Sequence, residues 1–116
     1  MPNPLQSGVI PAPVMPFNSD ASPDWGTFDN YIEELAEGGS SAIAVNMAAA
    51  EVTTLEPEEQ FEAVRRARCV VSGAIPVVAG LVHASTHGAA TLGKRLVDAG
   101  AQALVVFPPL PTFSSK

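Results

Sequence analysis

The chain has 116 residues and a formal net charge of −6 at pH 7, with 47% hydrophobic and 16% charged residues. That length allows one domain, and an acidic chain with only six lysines and arginines is a poor candidate for binding nucleic acid or an anionic membrane. A single cysteine excludes an intrachain disulfide, and no apolar run reaches the length of a membrane span. We therefore expect a soluble, cytoplasmic protein whose low charged fraction indicates burial against another chain or subunit.

The first apolar run, residues 8–17, contains three prolines, which favours an edge strand or a strand with irregular pairing. A helix follows, with Ser22 or Asp24 as its cap and glycines 38–39 at its end. One apolar face of this helix is predicted by side chains spaced three and four residues apart: Phe28, Tyr31, Ile32 and Leu35.

The pattern of apolar strand, loop and helix then repeats. The predicted elements are a strand at 42–45, a helix from Pro57 to Gly73, a strand at 75–81, a helix capped by Ser85 or Thr86 that ends at Gly100, and a strand at 104–107. On the last helix, the residues expected to face inward are Ala89, Leu92, Leu96 and Val97.

The strands are continuously apolar, which is typical of a parallel sheet buried on both faces. An α/β fold of this kind is either an open doubly wound sheet or half of an eight-stranded β/α barrel. No glycine-rich phosphate loop follows the first strand, which argues against dinucleotide binding and against a phosphorylated ligand. The chain stops directly after a strand, and this predicts a truncated domain.

Between the strand at 42–45 and Pro57 lies a loop of small residues that also contains Glu51. Loops at the carboxyl ends of parallel strands are where ligands bind, and a loop of small side chains leaves its backbone amides free to meet an anion. Glu51 could act as a general acid or base, or as a structural acid tied to backbone amides. A plain connecting loop without a ligand is the alternative.

Four segments, taken together and in order, resemble the dihydrodipicolinate synthase / N-acetylneuraminate lyase family. They are residues 8–17 (GVIPAPVMPF), 46–51 (NMAAAE), 76–80 (PVVAG) and 105–109 (VVFPP). The resemblance implies a TIM barrel, with residues 1–116 as the N-terminal portion of a single domain and its first four β/α units. It also implies a homotetrameric class I aldolase that forms a lysine Schiff base with pyruvate or another 2-oxo acid and needs no cofactor.

The family's Gly-Thr-Thr-Gly-Glu loop, which holds the carboxylate of the 2-oxo acid, falls on residues 47–51. The resemblance therefore implies that Ala48 and Ala49 offer backbone amides to the substrate but lack the two hydroxyls. Ala50 replaces a glycine, which matters if that position needs a positive φ, and Glu51 matches the family. These departures suggest a divergent member with a larger or less polar pocket.

Other family positions are altered or missing. The pair of tyrosines after the fourth strand falls on Leu110 and Pro111, and Met15 stands where threonine is usual. The Schiff-base lysine and the catalytic tyrosine lie beyond this chain, and Lys94 is expected to be an exposed helical lysine. We therefore expect a lyase for the parent protein and an inactive 116-residue chain; the alternative is a non-catalytic barrel fragment or binding module that needs a partner.

Two further features offer weaker chemistry. His83 and His87 are four residues apart and could bind a metal, but no acid or cysteine accompanies them, so solvated loop histidines and no metal are expected. Cys69 has no partner histidine nearby in the sequence, which favours a buried structural thiol.

Overall fold

The computed structural model describes residues 5–108. They contain three parallel β-strands, and each strand is preceded by an α-helix. The elements in chain order are α1 (Trp25–Glu37), β1 (Ile43–Val45), α2 (Pro57–Val71), β2 (Val77–Leu81), α3 (Thr86–Ala99) and β3 (Ala103–Val106). The strands lie side by side in the order β1-β2-β3. Val45 pairs with Ala79, and Leu81 with Val106, so the predicted parallel sheet is confirmed.

Residues 8–17 do not form a regular edge strand, and their pairing is irregular, which was the alternative predicted for them. They run beside β1, where the amides of Ser41 and Ala44 donate to the carbonyl oxygens of Val9 and Pro11 at 2.9 and 3.0 Å. The prolines of this segment carry no N–H with which to return such bonds, so no regular ladder develops. The described sheet therefore has three strands rather than the four expected.

The helix starts follow local sequence chemistry. The Asp24 carboxylate accepts hydrogen bonds from the amide and hydroxyl of Thr27, and these bonds lower the pKa of Asp24 below its usual value. Pro57 occupies the first turn of α2, and the Ser85 hydroxyl accepts from the amide of Gly88 at 3.0 Å to cap α3. Within residues 5–108, none of the helices has both the length and the apolar character needed to cross a membrane.

The two faces of the sheet are filled differently. All three helices pack on one face, where the large buried side chains include Phe28, Ile32, Ile43, Phe61, Val64, Leu81 and Leu96. Each such side chain stabilises the fold by about 1.5–3 kcal/mol when fully buried. No helix of the described range covers the opposite face, where the buried residues are Ala42, Ala44 and Val78, with Leu5, Met47 and Ala103 packed against them. β1 and β2 are thus buried on both faces, as predicted.

β3 differs from the prediction because it is the open edge of the described sheet. Val106 is 64% exposed and Val105 36% exposed, although both strand faces were expected to be buried. Val97 of α3, expected to face inward, is 51% exposed. It lines an open apolar cleft of about 550 Å³ between α3 and β3, together with Leu81, Ala89, Gly93, Leu104 and Val106.

An exposed apolar edge strand is a template for pairing with another chain. We expect the 116-residue chain to self-associate at micromolar concentrations, and we expect Val106→Lys to lower the average mass measured by sedimentation velocity. Val14→Lys is the control, because Val14 is 52% exposed but lies outside β3. A wild-type chain that sediments as a monomer at these concentrations would contradict the prediction.

Candidate functional site

The loop that follows β1 makes two turns at the carboxyl end of the strand. Asn46 directly follows β1 and has a φ of +58°, and residues Ala48–Ala50 then form one turn of 3₁₀-helix. Glu51 has a φ of +57°, and a second 3₁₀ turn, Val52–Thr54, leads towards α2. A left-handed conformation in a residue other than glycine costs about 1–2 kcal/mol, so this course of the backbone is held against some strain.

The amides of Ala48 and Ala49 are two neighbouring backbone donors of the loop that have no acceptor in the described part of the chain. The amides of Ala50 and Glu51 close the first turn by donating to the carbonyls of Met47 and Ala48, each at 3.0 Å. Ala48 and Ala49 are exposed, and among residues 5–108 no acceptor receives a hydrogen bond from either of their amides. Two adjacent N–H groups at the carboxyl end of a parallel strand can therefore bind a carboxylate.

Ala50 is buried, whereas the next residue, Glu51, is exposed to solvent. Ala50 does not adopt a positive φ, and its methyl group is buried in the core, so the loss of a glycine there imposes no backbone strain. The exposed Glu51 carboxylate forms no hydrogen bond with any described residue, and both roles considered for it stay predictions. Its backbone carbonyl instead accepts from the amide and the hydroxyl of Thr54, both at 2.8 Å.

Asn46 is a site residue that the sequence analysis missed. Its side chain is almost fully buried, and its amide nitrogen Nδ2 donates to the backbone carbonyl of Gln60 in α2 at 3.0 Å. Its oxygen Oδ1 is buried without a hydrogen-bond partner in the described part of the chain, which costs about 1–3 kcal/mol. An asparagine directly after a buried strand was the available signal, because asparagine tolerates a positive φ.

Gly80 of β2 is the second residue missed. A Cβ atom placed on Gly80 would collide with the carbonyl group of Asn46 and would lie 3.0 Å from the sulfur of Met47. The absence of a side chain therefore lets the loop backbone lie directly against β2. A glycine within an apolar strand signals such a close approach, although the sequence does not say which segment approaches.

The remaining candidates show no second reactive cluster. His83 is exposed after β2, and its Nδ1 accepts a hydrogen bond from the amide of Ser85 at 3.1 Å. His87 and Lys94 are exposed, as expected. No group of three or more histidine, cysteine, aspartate or glutamate side chains that could hold a metal occurs in the described range. Leu110 and Pro111 lie outside the described residues.

Cys69 is exposed on α2, so the prediction of a buried thiol is wrong. Its neighbours Ala67 and Val71 are both buried in the core. In a helix, the residues two before and two after a given position both point away from it. Because Ala67 and Val71 face the core, Cys69 between them faces the opposite side. The sequence spacing around Cys69 therefore already indicated the solvent face. Met15, by contrast, is buried in the core.

Comparisons with known proteins agree with this fold. A sequence model of the dihydrodipicolinate synthetase family matches residues 5–113. The chain is 36% identical over 105 residues to 4-hydroxy-tetrahydrodipicolinate synthase of Salinibacter ruber, covering 90% of this chain and 35% of that protein. It is 36% identical over 109 residues to the same enzyme of Chlorobium phaeovibrioides, covering 94% of this chain and 37% of that protein.

A solved structure of dihydrodipicolinate synthase from Aquifex aeolicus is also similar, with a TM-score of 0.82 and 31% identity. The similarity covers 88% of this chain and 34% of that one. The chain therefore spans about a third of the length of the relatives it matches.

The contact at Gly80 yields a stability prediction. We expect Gly80→Ala to lower the free energy of unfolding by about 1–3 kcal/mol in urea denaturation, because the added methyl group must displace the Asn46 backbone. Gly26→Ala is the matched control, since a Cβ on this exposed residue of α1 has its nearest neighbour at 3.8 Å. That control should leave stability unchanged or slightly raised. Equal effects of the two substitutions would contradict the close approach.

Proposed function

Because the chain belongs to the dihydrodipicolinate synthetase family, we propose that it is the first part of a lyase that acts on pyruvate or another 2-oxo acid. The observation that carries the proposal is that the amides of Ala48 and Ala49, where the family's carboxylate-binding loop falls, have no acceptor among residues 5–108. The lysine that forms the Schiff base, and the catalytic tyrosine, belong to sequence beyond Lys116. No cofactor is needed in this chemistry.

The proposed role of the loop is to hold the carboxylate of the 2-oxo acid. Ala48 and Ala49 donate their two amide hydrogens to it, and hydrogen bonds to a charged group contribute about 1.5–3 kcal/mol each. The threonine hydroxyls of the family loop are missing, so binding depends on the backbone alone. Methyl groups in place of hydroxyls favour a substrate whose remaining part is less polar than that of the typical synthase.

We also propose that residues 1–116 are the N-terminal half of a β/α barrel. Support comes from the packing of all three helices on one face of the sheet, because a doubly wound sheet carries helices on both faces. The open edge of β3 provides the place where a further strand would continue the sheet. A homotetramer in the cytoplasm is the assembly and location that we propose for the whole protein.

A second candidate is a non-catalytic barrel fragment or binding module. The exposed edge of β3 and the apolar cleft beside α3 favour it, because both present surface that another polypeptide could cover. In this case the free amides at Ala48 and Ala49 would still bind an anion, but no Schiff base would form.

Titration of the ¹⁵N-labelled chain with pyruvate tests carboxylate binding. We expect the amide signals of Ala48 and Ala49 to shift, and Ala49→Thr to tighten binding about tenfold by restoring a hydroxyl donor. Ala74→Thr is the control, because Ala74 is exposed at the opposite end of the sheet. Shifts spread over other residues, with these two amides unmoved, would count against the loop as the binding site.

Treatment with pyruvate and borohydride tests the assignment of the Schiff base. The chain contains two lysines, Lys94 and Lys116, and Lys94 is exposed on α3. A Schiff-base lysine lies in a pocket beside groups that activate it, and Lys94 has no such surroundings, so we expect no reduced adduct in the intact mass. A complete synthase of the family, treated alongside, should gain one. A stoichiometric adduct on Lys94 would show that this chain carries its own nucleophile.

A further inference from the structure

We propose that Asn46 and Gln60 are positioning residues that hold the loop between β1 and α2 in its binding conformation. This inference rests on the proposed function of that loop in binding a carboxylate. Neither residue is offered as a contact to the substrate. Their effect is exerted through the backbone that carries the amides of Ala48 and Ala49.

Gln60 contacts the loop at both of its ends. Its side-chain nitrogen Nε2 donates to the carbonyl of Leu55 at 3.2 Å and reaches the carbonyl of Val52 at 3.5 Å. Its backbone carbonyl accepts from Nδ2 of Asn46 at 3.0 Å. One residue of α2 therefore fixes the start and the end of the segment that contains the two free amides.

Gln60 is itself rigidly placed. Its amide donates to the carbonyl of Glu56 in the first turn of α2 at 3.0 Å, and the next residue, Phe61, is buried in the core. Because core side chains anchor the helix, a loop bonded to it is held in position more precisely than a loop that relies on its own contacts.

Asn46 is poorly explained by core packing alone. The Gln60 carbonyl can only accept, so the side-chain atom facing it is the nitrogen, and Oδ1 is left buried without a partner among residues 5–108. The same residue has a left-handed backbone and lies against Gly80. A buried oxygen without a partner is an unfavourable feature, and such features accumulate where a defined backbone geometry serves function.

The expected benefit is preorganisation. Two adjacent N–H groups bind a carboxylate tightly only if they already point at it, because ordering a flexible loop on binding opposes association. The bonds from Gln60 and Asn46 remove that ordering cost by restricting the loop before the ligand arrives.

Two variants separate the parts of the restraint. Gln60→Met keeps a similar side-chain length and removes both side-chain donors, and Asn46→Gly keeps a residue that favours positive φ and removes the side-chain amide. Gln102→Met is the matched control. The Gln102 side chain, like that of Gln60, bonds to the backbone: it accepts from the Val77 amide at 3.1 Å. It lies at the opposite end of the sheet from the loop.

Two readouts are measured on each variant of the 116-residue chain: hydrogen exchange of the loop amides of Ala50 and Glu51 without ligand, and the dissociation constant for pyruvate. We expect both variants to exchange about tenfold faster in the loop and to bind pyruvate about tenfold more weakly, with the control unchanged in both. Melting temperatures of all variants show whether a change is confined to the loop.

The outcomes distinguish this inference from the proposed function. Unchanged loop exchange in both variants would overturn the positioning role even if pyruvate binds. Faster exchange with an unchanged dissociation constant would also overturn it, because the residues would then be merely structural. If wild type fails to bind pyruvate while the variants still loosen the loop, the proposed function fails and the restraint of the loop stands.

Discussion

The parallel pairing of β1 with β2 is the constraint on which the rest of this structure depends. It sets the register Ile43–Val77 to Val45–Ala79, and it brings the end of β1 beside Gly80. Because both strands are buried on both faces, a slip of one residue would exchange the large helix-facing side chains with the small ones opposite. The register therefore fixes where the loop after β1 begins relative to β2, and with it the position of α2, which follows the loop.

The electrostatics of the candidate site are local rather than global. The chain carries a net charge of −6, which repels an anionic substrate at long range. At physiological ionic strength this repulsion is screened beyond about 8 Å, whereas hydrogen bonds from backbone amides act at contact distance. An acidic protein can thus hold a carboxylate without a lysine or arginine in the loop. The partial positive charge that attracts the carboxylate is on the amide hydrogens, and it does not change with pH in the physiological range.

Features set by neighbouring residues were predictable from the sequence, and features set by distant contacts were not. The caps at Asp24 and Ser85, the start of α2 at Pro57 and the small-residue loop follow from local chemistry. The irregular course of residues 8–17 depends on what lies beside it, and the exposure of β3 depends on its being an edge.

The candidate site divides in the same way. A loop of small residues after a buried strand could be predicted from the sequence pattern, and the family resemblance singled out Ala48 and Ala49 within it. The roles of Asn46, Gly80 and Gln60 could not, since they depend on contacts between the end of β1, α2 and β2, which the sequence does not place side by side. The hydrogen bonds that the Thr54 amide and hydroxyl donate to the Glu51 carbonyl were likewise not predicted.

The small residues on the face opposite the helices couple the inside of the sheet to the loop. Met47, the first residue after Asn46, packs against the cluster of Ala42, Ala44 and Val78. Because Met47 packs against the cluster that contains Ala44, a larger residue at Ala44 is expected to shift the side chain with which the loop begins. Substitutions at these two positions should be epistatic, so that changes deep in the sheet alter ligand preference without touching a ligand.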